Sequence, residues 1–119
     1  MVETMHSIEE EKYSVVYDDV KNCILFNGII CLNDRKHYQA IMELVDEIYH
    51  IDASAQKWDF KKLQLLDSAG MGQLYHFVLN HRSEGAFALS VEGDSQISWQ
   101  QKFLPNLQKM NRNINLRFS

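Results

Sequence analysis

Hydrophobic positions in the first quarter of the chain fall in short β-branched and aromatic blocks. KYSVVY (12–17) and CILFNGIICL (23–32) each read as a strand, and DDVKN (18–22) between them supplies the turn of a hairpin. Gly28 interrupts the second block, which predicts a bulge or a close backbone approach there. Residues 1–11 show no period and read as a frayed start.

The period then lengthens. Tyr38, Ile41, Met42, Val45, Ile48 and Tyr49 fall on one stripe behind an Asn33-Asp34 cap, with Glu43, Asp46 and Glu47 on the outer side. IDASAQ (51–56) reads as a loop and KWDFKKLQLL (57–66) as a third strand ending at Asp67. From Ser68 a second helix carries Met71, Leu74, Phe77 and Val78 at helical spacing, and HRSEG (81–85) closes it. AFALSV (86–91) is a fourth strand. In SQISWQQKFLPNLQKM (95–110), Trp99, Phe103, Leu107 and Met110 share a face, and Pro105 predicts a kink or two short helices. NINLRF (113–118) is the last strand.

The order is β-β-α-β-α-β-α-β. Strands alternating with helices after a hairpin imply parallel pairing through right-handed crossovers. The expected fold is α/β, a five-stranded mixed sheet with helices, as a single domain over 1–119.

Charge narrows the function classes. Twelve Lys and Arg stand against sixteen Asp and Glu, a net charge of -4, and the basic residues form no stripe of the kind nucleic-acid binders carry. No apolar run approaches the roughly 18 residues needed to cross a bilayer, and MVETMHSIEEEKYS lacks a signal-peptide core. A cytoplasmic protein without nucleic-acid or membrane partners is expected. Cys23 and Cys31 lie along one strand, more than roughly 20 Å apart, too far to pair. Two reduced, at least partly buried thiols follow.

The stretch LLDSAGMGQ (65–73) is where the chain departs from pure folding logic. Two glycines in a helix start cost propensity, roughly 1 kcal/mol each in an interior. Ser68 stands where a hydroxyl would cap the helix. Gly70 and Gly72 either pack the helix tightly on the sheet or clear a path for another molecule to reach Ser68. A phosphate on Ser68 would sit at the positive end of the helix beside free N–H groups.

FKKLQLLDSAGMGQLYHFVLNHR resembles the signature of STAS domains, the family of bacterial anti-sigma factor antagonists, in which an apolar strand leads into Asp-Ser-Ser/Thr-Gly-Leu-Gly and a helix. The tail GDSQISWQQKFLPNLQKM is similar to that of small stand-alone STAS-like regulators with a Trp-Gln and Asn-Leu-Gln pattern. The resemblance implies a STAS-like fold and a phosphorylation switch. A serine kinase that also acts as an anti-sigma factor would modify the helix-start serine, and a PP2C-type phosphatase would restore it. The unmodified form would bind the kinase partner. The motif maps onto Asp67, Ser68, Gly70 and Gly72, with Met71 in the usual leucine position. Ala69 fills the second hydroxyl position, so Ser68 is the phosphoacceptor the resemblance implies. Asp67 would position the loop, Met71 would offer an apolar contact, and Gln73 and Tyr75 would complete the docking face.

Other chemistries fit less well. A nucleophile elbow needs glycine two residues before the serine, where Leu66 stands. His76 and His81 are five apart on different helix faces, His37 and His50 lie at opposite ends of the first helix, and no Cys-x-x-Cys pair exists. Nor is there a phosphate-cradling Gly-x-x-x-x-Gly-Lys loop. A non-catalytic regulator without metal or cofactor is the expectation. The competing expectation is an unmodified interaction module in which Ser68 is only a helix cap. Trp99 and Phe103 are read as core rather than as a partner groove.

Overall fold

In the computed structural model, which describes residues 6–51, 56–81 and 88–119, six strands form one mixed sheet. They are β1 (Ser7–Glu9), β2 (Tyr13–Asp18), β3 (Cys23–Ile30), β4 (Gln56–Leu66), β5 (Leu89–Gly93) and β6 (Ile114–Phe118). In space they lie side by side in chain order. β1, β2 and β3 pair antiparallel, and every later pair is parallel. The three parallel crossovers carry α1 (Gln39–Ile51), α2 (Ser68–Asn80) and α3 (Ser98–Met110), and a short 3-10 helix, Arg35–Tyr38, leads into α1.

The α/β class and mixed sheet match the reading of the sequence. The strand count does not, because the sheet has six strands rather than five. The addition is β1, in the segment read as a frayed start. Its three residues are too few for a period to register, yet they pair with the open edge of β2 at Ser14–Val16, whose backbone groups otherwise lack sheet partners. Cys31, expected to be at least partly buried, lies exposed beyond the end of β3, whereas Cys23 is buried. The AFALSV strand begins at Leu89, and its first two residues, with most of HRSEG and IDASAQ, lie outside the described residues.

Crossovers of one handedness running in one direction place their helices on one face of the sheet. The residues turned to that face are the core: Val15, Ile24, Phe26, Trp58, Phe60 and Val91 are all buried. The other face is polar, with Lys57 and Lys61 paired to Glu92 at 3.7 and 3.2 Å.

β4 departs from simple alternation. Its buried positions run Gln56, Trp58, Phe60, then Leu63 and Leu66. Leu25 and Asn27 of β3 face Asp59 and Lys62, and Gly28 and Ile29 face Leu63 and Leu65, so β4 carries one extra residue at each of two bulges. Gly28 stands at the second bulge with φ +92°, and a Cβ there would lie 2.3 Å from the Lys12 carbonyl oxygen. Both features expected of Gly28, bulge and close approach, are present.

α3 holds the bulged strand in place. The buried Gln100 side chain donates from Nε2 to the carbonyls of Phe60 at 2.6 Å and Leu63 at 2.9 Å, while its Oε1 accepts from the Asp94 amide at 2.8 Å. Trp99 Nε1 adds a bond to the Leu63 carbonyl at 3.1 Å. Trp99 and Phe103 pack, half-buried, against the core. The helix is one continuous element through Pro105, so the expected alternative of two short helices is not formed. Leu104 and Leu107, both fully buried, flank the proline and fix both halves to one surface.

Candidate functional site at the start of α2

Strand β4 ends where its partner ends. The Asp67 amide donates to the Ile30 carbonyl at 3.2 Å, closing the β3–β4 ladder and fixing Asp67 at the mouth of α2. Its carboxylate then gathers three donors. Oδ1 accepts from the Tyr38 hydroxyl at 2.5 Å and the Gly70 amide at 2.9 Å, and Oδ2 from the Asn33 amide at 2.7 Å. Asn33 sits at φ +67°, a left-handed conformation that asparagine tolerates better than most residues. It turns the chain leaving β3 so that its N–H points at Asp67.

Burial pushes the Asp67 carboxyl up, but the bonds from Tyr38, Gly70 and Asn33 outweigh it and hold the group below its usual range. Burial also pushes the Tyr38 phenol well above its ordinary value, and the hydrogen bond to Asp67 adds to the shift. The pair is therefore a neutral phenol donating to a carboxylate.

Asp67, not Ser68, is the N-cap of α2, and Ser68 is the first helical residue, exposed to solvent. The expectation that the Ser68 hydroxyl caps the helix is corrected by this geometry. Either side chain can cap. Tyr38 and Asn33 decide for Asp67, because the fold delivers two further donors to that position.

The two glycines divide. Gly70 is buried, and a Cβ there would stand 2.4 Å from Leu66 Cδ1 and 2.7 Å from the Tyr38 hydroxyl. It is a packing glycine. A Cβ at Gly72 would meet nothing within 4 Å, so no contact inside the protein requires glycine there.

At about 100° per residue, Gly72 and Tyr75 lie within about 40° of Ser68 around α2. Gln73 lies about 140° away, and it lines a groove against the 3-10 helix instead. Met71 is half-buried against the core. Of the residues expected at this site, Ser68, Gly72 and Tyr75 therefore share the outward face. Asp67 and Gly70 build the turn from within, Met71 borders it, and Gln73 faces elsewhere.

Tyr38 and Asn33 are the members that sequence reading missed. Tyr38 reads as one more apolar position on the α1 stripe, although a buried tyrosine on such a stripe needs a partner for its hydroxyl. That was the available signal.

Room for a small molecule is lacking under α2. The cavity bounded by Phe26, Ile30, Tyr38, Leu66, Gly70 and Leu74 measures about 10 Å³, no more than one water requires. Among the described residues, no three His, Cys, Asp or Glu side chains stand together as a metal site, and no helix is long and apolar enough to cross a membrane. Comparison of the chain with protein-family models, with curated proteins and with solved structures returns no match.

Proposed function

We propose that the chain is a non-catalytic signalling regulator of the STAS type, acting in the cytoplasm, whose α2 start docks a protein partner under the control of Ser68 phosphorylation. The partner is a serine kinase with anti-sigma factor character, and a PP2C-type phosphatase reverses the modification. The observation that carries this reading is the exposed Ser68 hydroxyl, relieved of capping by Asp67 and bordered by the open space at Gly72.

The physics of the modification fits that location. A phosphate on Ser68 adds nearly two negative charges at the positive end of a helix of 13 residues. Asp67 occupies the Gly70 amide, so the phosphate would meet other first-turn N–H groups. The turn itself is held by Tyr38 and Asn33 and need not open. The chemical change is confined to the docking face: a neutral hydroxyl becomes a dianion beside an existing carboxylate. A partner fitted to the first state is repelled by the second.

The test is phosphopeptide mapping of the protein isolated from its native cells, with and without phosphatase treatment, together with partner capture on the Ser68→Ala and Ser68→Asp forms. One phosphate on Ser68, and a partner held by Ser68→Ala but lost by Ser68→Asp, is the expected result. An unmodified Ser68 across growth and stress conditions, with both variants holding the same partner, would overturn the reading.

A further inference from the structure

We propose that the groove between the 3-10 helix and α2 is a second docking surface, taking a short acidic segment of a protein partner in extended form. Arg35, Lys36 and Gln39 form one wall, and Gln73, His76 and Asn80 the other, around about 480 Å³ of open space. The lining holds two permanent cations, one imidazole, three carboxamides and no carboxylate. That balance runs against a chain whose net charge is -4.

Asp34 and Glu43 keep their charges beside the groove, but neither is ion-paired to its cations. Among the described residues, neither Arg35 nor Lys36 has an ion-pair partner. Asp34 accepts from the Lys36 backbone amide at 3.0 Å as the cap of the 3-10 helix. Glu43 accepts from Gln39 Nε2 at 3.1 Å. Asp67 is enclosed by its three donors.

Length and chemistry both point to a peptide. From Gln73 to Asn80 the α2 wall rises about 10 Å at 1.5 Å per residue, the span of about three residues of extended chain. Carboxamides on both walls offer donors and acceptors to a main chain, and the cations sit where acidic side chains would reach. A nucleic acid fits poorly: two adjacent cations on a chain of net charge -4 would neutralise few of its continuous phosphates. The groove lies on the flank of α2 away from Ser68, so the proposal stands whether or not Ser68 is modified.

The test is an amide-resolved NMR titration of the whole chain with capped hexaglutamate, against hexaglutamine, inorganic phosphate and a short thymidine oligonucleotide. Saturable shifts at Arg35–Gln39 and Gln73–Asn80 with hexaglutamate alone are expected. The doubly charge-reversed variant Arg35→Glu/Lys36→Glu, altered only at exposed side chains, should weaken binding about tenfold or more and keep its spectrum. Raising salt from about 50 to 300 mM should weaken the native complex as well. The proposal is overturned by an absence of shifts, by shifts centred on Lys61 and Lys62, by equal binding of hexaglutamine, or by phosphate or the oligonucleotide occupying the groove as well as the peptide does.

Discussion

The Tyr38 hydroxyl and the Asp67 carboxylate meet at 2.5 Å across 29 residues of sequence, tying the turn before α1 to the residue that caps α2. Replacing Tyr38 with Phe keeps the ring in the core and removes a hydrogen bond to a charged group. A loss of about 1.5–3 kcal/mol is expected, read as a lower urea midpoint with an unchanged slope. A midpoint within error of the native value would mean that the carboxylate finds water in place of the phenol.

The same pair sets a pH dependence. Asp67 has its folded pKa lowered, since hydrogen bonds from Tyr38, Gly70 and Asn33 outweigh burial. Its contribution is present above the unfolded carboxylate pKa, near 4, and is lost as pH falls through the lower folded value. Tyr38 works in the opposite sense. Its phenol is raised by burial and then by Asp67, so its contribution is full below about pH 10 and declines above it, where the unfolded phenol ionises first. Urea midpoints across pH should show both limbs in the native protein. Tyr38→Phe should flatten both, and an unchanged acid limb would assign that limb to other carboxylates.

Gly70→Ala and Gly72→Ala should move stability in opposite directions. The first forces a methyl group against Leu66 and Tyr38, an overpacking cost of about 1–3 kcal/mol that exceeds the gain in helix propensity. The second enters open space and should stabilise by about 0.5–1 kcal/mol. If Gly72 is kept for close approach of a partner, the stabilised Gly72→Ala protein should also bind that partner less well. A partner indifferent to Gly72→Ala would remove Gly72 from the docking face.

Ser68→Ala should change stability by no more than about 0.5 kcal/mol, because Asp67 holds the cap. Asp67→Ala should cost more than an ordinary cap, which is about 1 kcal/mol, since it also removes the acceptor shared by Tyr38 and Asn33 and leaves the Tyr38 hydroxyl only the Ile30 carbonyl at 3.4 Å. Thermal unfolding of the two variants side by side checks this. A larger loss in Ser68→Ala would return the cap to the serine.

How far the sequence could be read depended on how local the cause was. The α1 stripe, the hairpin turn and Gly28 have local causes and were legible. β1 exists because β2 has an open edge, and three residues carry no period. The bulges of β4 do leave a trace: two polar residues, Lys61 and Lys62, separate Phe60 from Leu63 where alternation allows one. The cap, expected at Ser68, falls on Asp67 because Tyr38 and Asn33 arrive there from another part of the chain. The glycines divide for the same reason: only the packed structure shows what stands beside each one.

Gln100 offers the sharpest test of how the bulged strand is held. Its amide meets three backbone groups, the carbonyls of Phe60 and Leu63 and the Asp94 amide, in a fully buried position. Gln100→Leu keeps similar bulk but leaves the Phe60 carbonyl and the Asp94 amide without that partner, while Leu63 retains Trp99. A loss of about 2–5 kcal/mol is expected, from a buried carbonyl and a part-buried amide left without that bond. Gln100→Glu separates hydrogen bonding from shape. Its carboxylate can still accept from Asp94, but it faces two carbonyl oxygens and can donate to them only when protonated. Its folded pKa must therefore rise above the unfolded glutamate value of about 4.3. Stability should be best below that pH and fall as pH rises through the folded pKa, opposite in sense to the acid limb set by Asp67. Urea midpoints measured from about pH 4 to 8 should thus fall with pH in Gln100→Glu relative to the native protein. A parallel pair of curves would mean that the side chain has left the core and that the bulges stand without it.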